Sequence, residues 1–327
     1  SFLVCSVGLK FLIKKCKSIG LLWEDMNKPT HPKNVVASGG VIVVFGFVLG
    51  VLFYIAILTF IIHQTGTVYR EIFALLSVVL LVAIVGLTDD FLGWYNGGLS
   101  VRVRLLLAFV ASIPLVVINA GESMVTLPLF GAVNLGWIYP LILIPIGIAA
   151  TTTVYNFLAG FNGLEAGQGI LIVGFLSCVA YITGTHWLSL VGLCMVASLG
   201  AFWIFNKMPA KVFPGDIMTY SVGALIGAMA ILGNFERIAF IVFIPYVIEM
   251  ILKVRGKIEL KDGKFPKSFG IPKKDGSLDL PYKKIYGLTH FSIWFLKKFK
   301  KRVFEDDVVY FIHIIQILFI LFAIFII

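Results

Sequence analysis

Ten apolar runs, most of them near 20 residues long, dominate this chain: roughly 1–22, 39–62, 71–88, 103–119, 137–157, 168–183, 186–205, 217–233, 237–252 and 308–327. A helix needs about 20 residues to cross about 30 Å of hydrocarbon, where it satisfies its own backbone. The runs predict an all-α integral membrane protein of about ten transmembrane helices. Composition agrees. The 327 residues are 59% hydrophobic and 13% charged, against about 25% charged in a soluble domain, and mean hydropathy is +1.00. A soluble fold is excluded.

The net charge of +10 is sorted by side. All Lys and Arg except Arg70 and Arg237 fall in alternate loops or the helix ends beside them: Lys10 to Lys33, Arg102 and Arg104, Lys207 and Lys211, and fifteen in 253–302. Basic residues stay cytoplasmic. The odd-to-even loops are therefore expected in the cytoplasm and both termini outside. The charge reads as topology and attraction to a lipid bilayer. Nucleic acid needs a basic groove or aromatic platform, and no such module is present. Cys5, Cys16, Cys178 and Cys194 show no CxxC spacing and imply neither a disulfide framework nor a zinc site. No small-residue cleavage site follows the first run, so it reads as a span and not a signal peptide.

Three units are expected: helices one to nine with their loops over 1–252, a small basic cytoplasmic lobe over 253–307, and the last helix over 308–327. The lobe holds Pro266, Pro272, Pro281 and the turns DGK and KDGS. KKDGSLDL reads as a hairpin. FSIWFLKKFKKRVF alternates apolar and basic residues at helical spacing, as a helix on the membrane surface does. Its lysines suit anionic headgroups, or phosphates of a substrate. Glu249, deep in the ninth run, pairs with Lys253 at i+4.

Polar chemistry clusters at the cytoplasmic ends of the runs. Asp89 and Asp90 end the third, in TDDFLGW; two adjacent carboxylates at the hydrocarbon edge must be solvated, paired or metal-bound. NFLAGFNGLEAGQG, 156–169, sets Asn156, Asn162, Glu165 and Gln168 among glycines that let backbone approach a ligand. FPGD places Asp216 at the start of the eighth run, as an N-cap, a metal ligand or both. Carboxylates, amides and basic side chains on one membrane face suit phosphoryl transfer, which needs positioning and charge neutralisation. Mg2+ takes one or two such protein ligands plus phosphates. No P-loop or dinucleotide fingerprint is present, so an ATP-driven pump is excluded. The five histidines are scattered.

The strings TDDFLGW, NFLAGFNGLEAGQG and FPGD, in that order, resemble the polyprenyl-phosphate N-acetylhexosamine-1-phosphate transferases, and within them the eukaryotic and archaeal dolichyl-phosphate N-acetylglucosamine-1-phosphate branch. The likeness runs over about 23–305. It implies transfer of N-acetylglucosamine-1-phosphate from UDP-GlcNAc to a polyprenyl or dolichyl phosphate, the first membrane step of glycan assembly, with Mg2+ or Mn2+ as cofactor. It implies that Asn156 and Asp216 ligate the metal, that Asn162 sits near the uracil, and that Gly163 and Glu165 also bind substrate. By the same likeness Arg104, Lys264 and Lys267 meet phosphate. Asp89 and Asp90 are then the catalytic pair that deprotonates or orients the lipid phosphate. The lobe departs from that branch, with Lys-Ser-Phe-Gly where it has arginines and a histidine. The bacterial histidine string is absent too, which argues against a muramyl-pentapeptide substrate. A homodimer is implied, in an archaeal plasma membrane or a eukaryotic endoplasmic reticulum. The competing reading is a polyprenyl-phosphate transporter or scramblase. A transporter places its polar site at the midplane between repeats, and no half-to-half similarity is present.

Overall fold

The structure, a computed structural model, describes residues 1–63, 66–127, 131–260 and 264–326. Asp262 and Gly263 of the DGK turn and the terminal Ile327 lie outside these. Helices occupy all ten expected positions. They are α1 (Phe2–Ser18), α2 (Gly40–Phe60), α3 (Val68–Asn96), the pair α4 (Val101–Ala111) and α5 (Ile113–Val117), and a π-helical turn (Tyr139–Leu143) leading into α6 (Ile144–Tyr155). There follow α7 (Leu164–Ile182), α8 (His186–Asn206), α9 (Gly215–Leu232), α10 (Glu236–Leu260), the short α11 (Leu288–Leu296) and α12 (Glu305–Ile324). Among the described residues, α2, α3, α7, α8, α9 and α12 are long and apolar enough to cross a membrane, and the π turn with α6 forms a shorter apolar helix.

α9 is the hub. Every residue from Ile217 to Leu232 is buried, and α3, α6, α2, α7, α10 and α8 pack around it. Small residues permit the approach. A Cβ on Gly86 of α3 would lie 2.6 Å from Ile217 Cα, and one on Gly223 would lie 2.5 Å from the Thr151 carbonyl. α7 and α8 form an antiparallel hairpin, which α2 and α1 cover.

Three two-stranded sheets sit in the connections. β1 (Leu22–Glu24) pairs antiparallel with β2 (Lys33–Val36), β3 (Met124–Leu127) with β4 (Gly131–Asn134), and β5 (Ile271–Pro272) with β6 (Leu278–Asp279). The last is the hairpin expected at KKDGSLDL. The first ties down the chain ahead of α9: Phe213 N–H donates to the Val36 carbonyl at 2.7 Å, and Gly40 N–H to Pro214 at 2.9 Å.

Three expectations change. The third helix does not end at the acid pair; it runs on to Asn96, because Asp89 finds partners inside the bundle. The surface helix is Leu288–Leu296 and stops short of KKFKKR. There the backbone leaves the helix so that the Val303 carbonyl can accept from Leu278 N–H at 2.8 Å. α10 extends to Leu260 and α12 starts at Glu305, so the lobe between them is shorter than 253–307. The Glu249–Lys253 pair is present at 3.7 Å and buried. Lys253 also donates to Ser268, and Glu249 accepts from Leu288 N–H, which docks the lobe on α10.

Candidate active site

The connections that follow α1, α3, α6, α8 and α10 meet at one end of the bundle around a cavity of 370 Å³. Its wall includes Trp23 to Met26, Asp89, Asp90, Arg104, Asn156, Gly160 to Asn162, Glu165, Phe213 to Asp216, Thr219 and Phe269. Chain segments far apart in sequence thus supply one pocket at the end where the basic loops gather.

The acid pair divides. Asp89 is buried and faces α4 and α9. Its Oδ1 accepts from Leu99 N–H at 2.6 Å; its Oδ2 takes Arg104 Nη1 at 3.1 Å and the Tyr220 hydroxyl at 3.0 Å. Arg104 Nη1 also lies 2.8 Å from the Tyr220 oxygen and 3.8 Å from Asp216 Oδ2. Asp90 turns the other way and caps α9, accepting from Asp216 N–H at 2.7 Å and Ile217 N–H at 3.4 Å. Asp216 therefore is not its own helix's cap. The bare N–H groups of a helix start favour an anion, and Asp90 supplies it from another helix. Gly215 makes room: its φ is +70°, and a Cβ there would sit 2.3 Å from Asp90 Oδ2. Freed from capping, the Asp216 carboxylate stands 30% exposed in the wall. The Thr219 hydroxyl lies 3.0 Å from Asn156 Oδ1 and 3.2 Å from the Asp216 carbonyl, joining the ends of α6 and α9.

The 156–165 segment forms the opposite wall. Gly160 has φ +110° and a Cβ there would strike the Phe269 ring at 2.7 Å, so the lobe's aromatic packs against bare backbone. Glu165, in the first turn of α7, accepts from Gly160 N–H at 2.7 Å, and its other oxygen is buried without a partner. Asn162 donates from its backbone to Glu305 at 2.7 Å and from Nδ2 to Asp25 at 3.1 Å.

Asp89, Asp90, Arg104, Asn156, Asn162, Glu165 and Asp216 all meet at this wall. Gly163 lies just behind it, its N–H held by Asn206 at 3.0 Å. Lys264 and Lys267 do not line it; both are exposed, and Phe269 is what their segment contributes. Sequence reasoning missed Tyr220, Thr219, Asp25 and Glu305. Tyr220 sits four residues after Asp216, a helical spacing that could have revealed it. Asp25 and Glu305 reach the site from segments with no local signal. Among the described residues no cluster of three His, Cys, Asp or Glu is arranged as a metal cage.

Residues 72–234 match the family described as glycosyl transferase family 4. A protein of Saccharolobus solfataricus provisionally named UDP-N-acetylglucosamine–dolichyl-phosphate N-acetylglucosaminephosphotransferase is 38% identical, over 78% of this chain and 76% of its own. A protein of Sulfolobus acidocaldarius with the same provisional name is 33% identical, over 79% and 76%. A phospho-N-acetylmuramoyl-pentapeptide-transferase of Wolbachia pipientis is 28% identical, over 73% of each chain. The chain belongs to glycosyl transferase family 4. Its likeness to the two archaeal proteins is greater than to the bacterial one.

Proposed function

We propose that this protein transfers N-acetylglucosamine-1-phosphate from UDP-GlcNAc to a dolichyl-type polyprenyl phosphate, releasing UMP and forming GlcNAc-diphospho-polyprenol. The observation that carries the reading is the cavity wall, where Asp89, Arg104, Asn156 and Asp216 converge beside Asn162 at one end of an apolar bundle. A soluble nucleotide and a lipid phosphate can meet only at such an end. The similarity to the archaeal relatives supports the sugar and the lipid.

The wall's charge fits a divalent cation. Glu24, Asp25, Asp89, Asp90, Glu165 and Asp216 line it, and among the described residues Arg104 is its one cationic side chain. A diphosphate entering so acidic a pocket needs positive charge brought with it. Asp216 and Asn156 offer hard side-chain oxygens at neighbouring helix ends, with Thr219 linking the Asn156 side chain to the Asp216 main-chain carbonyl, and such oxygens suit Mg2+, which keeps water and takes its other ligands from phosphates. Held by these two residues, such an ion would supply charge neutralisation for the diphosphate.

In the reaction an oxygen of the lipid phosphate attacks the β-phosphorus. A P–O–P bond forms to the acceptor, the bond from the β-phosphorus to the bridging oxygen breaks, and its electrons leave on UMP. Arg104, steadied by Tyr220, neutralises the incoming phosphate. Asp89 holds Arg104 in place. Both carboxylates of the pair already accept hydrogen bonds, and Asp89 is buried. These bonds commit both carboxylates to positioning Arg104 and the start of α9, a role that favours direct attack over a covalent phospho-aspartate. The transporter reading fares worse. The second cavity, 340 Å³ between α6, α9 and α10, is lined by apolar side chains save Tyr139, Thr151 and Glu236, and offers no polar passage.

The test is UMP release by purified protein in detergent with dolichyl phosphate and Mg2+, comparing UDP-GlcNAc, UDP-GalNAc and UDP-glucose. Release with UDP-GlcNAc well above the other two is expected. No release with any donor would sink the proposal.

A further inference from the structure

Asn162 is locked at both ends. Its backbone N–H is held by Glu305, and its side-chain Nδ2 by Asp25 Oδ2 at 3.1 Å. Asn162 and Asp25 are 3% and 5% exposed, so water does not compete. Asp25 is itself fixed. Its Oδ1 accepts from Asn27 N–H at 3.3 Å, and Lys28 Nζ stands 3.8 Å from Oδ2. An amide can turn over at little steric cost, because its oxygen and nitrogen are nearly the same size; its neighbours decide which end points where. A carboxylate only accepts. Asp25 therefore captures the NH2 and leaves Oδ1, which has no protein partner among the described residues, as an acceptor in the cavity wall.

We propose that Asp25 determines which nucleobase the cavity takes, by holding the Asn162 amide with its oxygen toward the ligand. This rests on the UDP-sugar reading above. Uracil carries an N–H at position 3, which meets an amide oxygen as donor to acceptor. Cytosine carries a bare nitrogen there, and two lone pairs would face each other. A buried polar group left unpaired gives strong discrimination. Asp25 does this without touching the base; it is a positioning residue.

The test measures binding of UMP and of CMP to the purified full chain by titration calorimetry, in wild type and in Asp25→Asn. Binding needs no turnover. Wild type is expected to bind UMP at least 30-fold more tightly than CMP. In Asp25→Asn the neighbour can donate as well as accept, so the Asn162 amide is free to turn. UMP should weaken about tenfold, CMP should tighten, and the preference should fall below threefold. A merely structural role would weaken both nucleotides together, and an unchanged ratio overturns the proposal. So does a wild type that binds both equally. A wild type that binds neither overturns the underlying donor reading instead. If Asp25→Asn does not fold, Asp25→Ser, whose hydroxyl can donate to the amide oxygen, is expected to show the same collapse of preference.

Discussion

Successive residues leave a helix about 100° apart, so Asp89 and Asp90 reach different partners from α3. One balances Arg104 in the cavity; the other caps α9. The variants should separate accordingly. Asp90→Ala removes the cap and should lower stability by about 1–2 kcal/mol, while Asp90→Asn keeps an acceptor and most activity. Asp89→Asn should leave the thermal midpoint nearly in place and cut UMP release about 100-fold, because the amide no longer holds the Arg104 guanidinium in position for the phosphate. Thermal unfolding in detergent beside the UMP assay reads both; equal activity losses for the two Asn variants would remove the distinction. Tyr220→Phe deletes one hydroxyl from the Arg104–Asp89 contact and should cost about tenfold in turnover with folding intact. Asp89, Asn156 and Asp216 were legible in the sequence because polar side chains stand out in an apolar chain. The partition of the acid pair was not, since it depends on where α9 begins in space.

The helices were legible as elements because each apolar run must bury or face lipid. What was not legible came from pairing across distance. The loop after α1 carries no strand signal, yet it forms β1–β2 because Val36 finds the backbone around Val212. The start of α12 is likewise set from afar. Glu305 is buried, pairs with Lys28 and holds Asn162 N–H. Glu305→Ala strands both partners and should destabilise by about 3 kcal/mol or more; a thermal midpoint within a degree of wild type would show the pairing to be idle. The lobe has its own pH signature. Burial and the nearby Lys253 ammonium push the His290 imidazole down to about 4, from about 6.5 in an unfolded chain. The unfolded state takes up the proton first. Stability is then complete above about 6.5 and drains away as pH falls toward 4, by about 3 kcal/mol in all. The thermal midpoint measured from pH 7 to 4.5 should fall more steeply in wild type than in His290→Gln, which cannot titrate.

For the molecule as a whole, the decisive fact is that chemistry and charge share an end. The loops that build the cavity are the same loops that carry nearly all the Lys and Arg. Basic segments resist translocation, so the rule expected to orient the chain would also set the side on which the proposed donor is met. A nucleotide-sugar cannot cross the bilayer unaided, and the cavity is bounded by α3, α6, α7 and α9, with the apolar bundle beyond it. Donor added to sealed inside-out vesicles, with the cytoplasmic face outward, should therefore release UMP at once. Sealed right-side-out vesicles should release it only after permeabilisation, when the rate should rise at least tenfold. Equal rates on both sides without permeabilisation would break the link between the basic loops and the site, and the polar wall would then have to be reachable through the bundle, as a transporter requires.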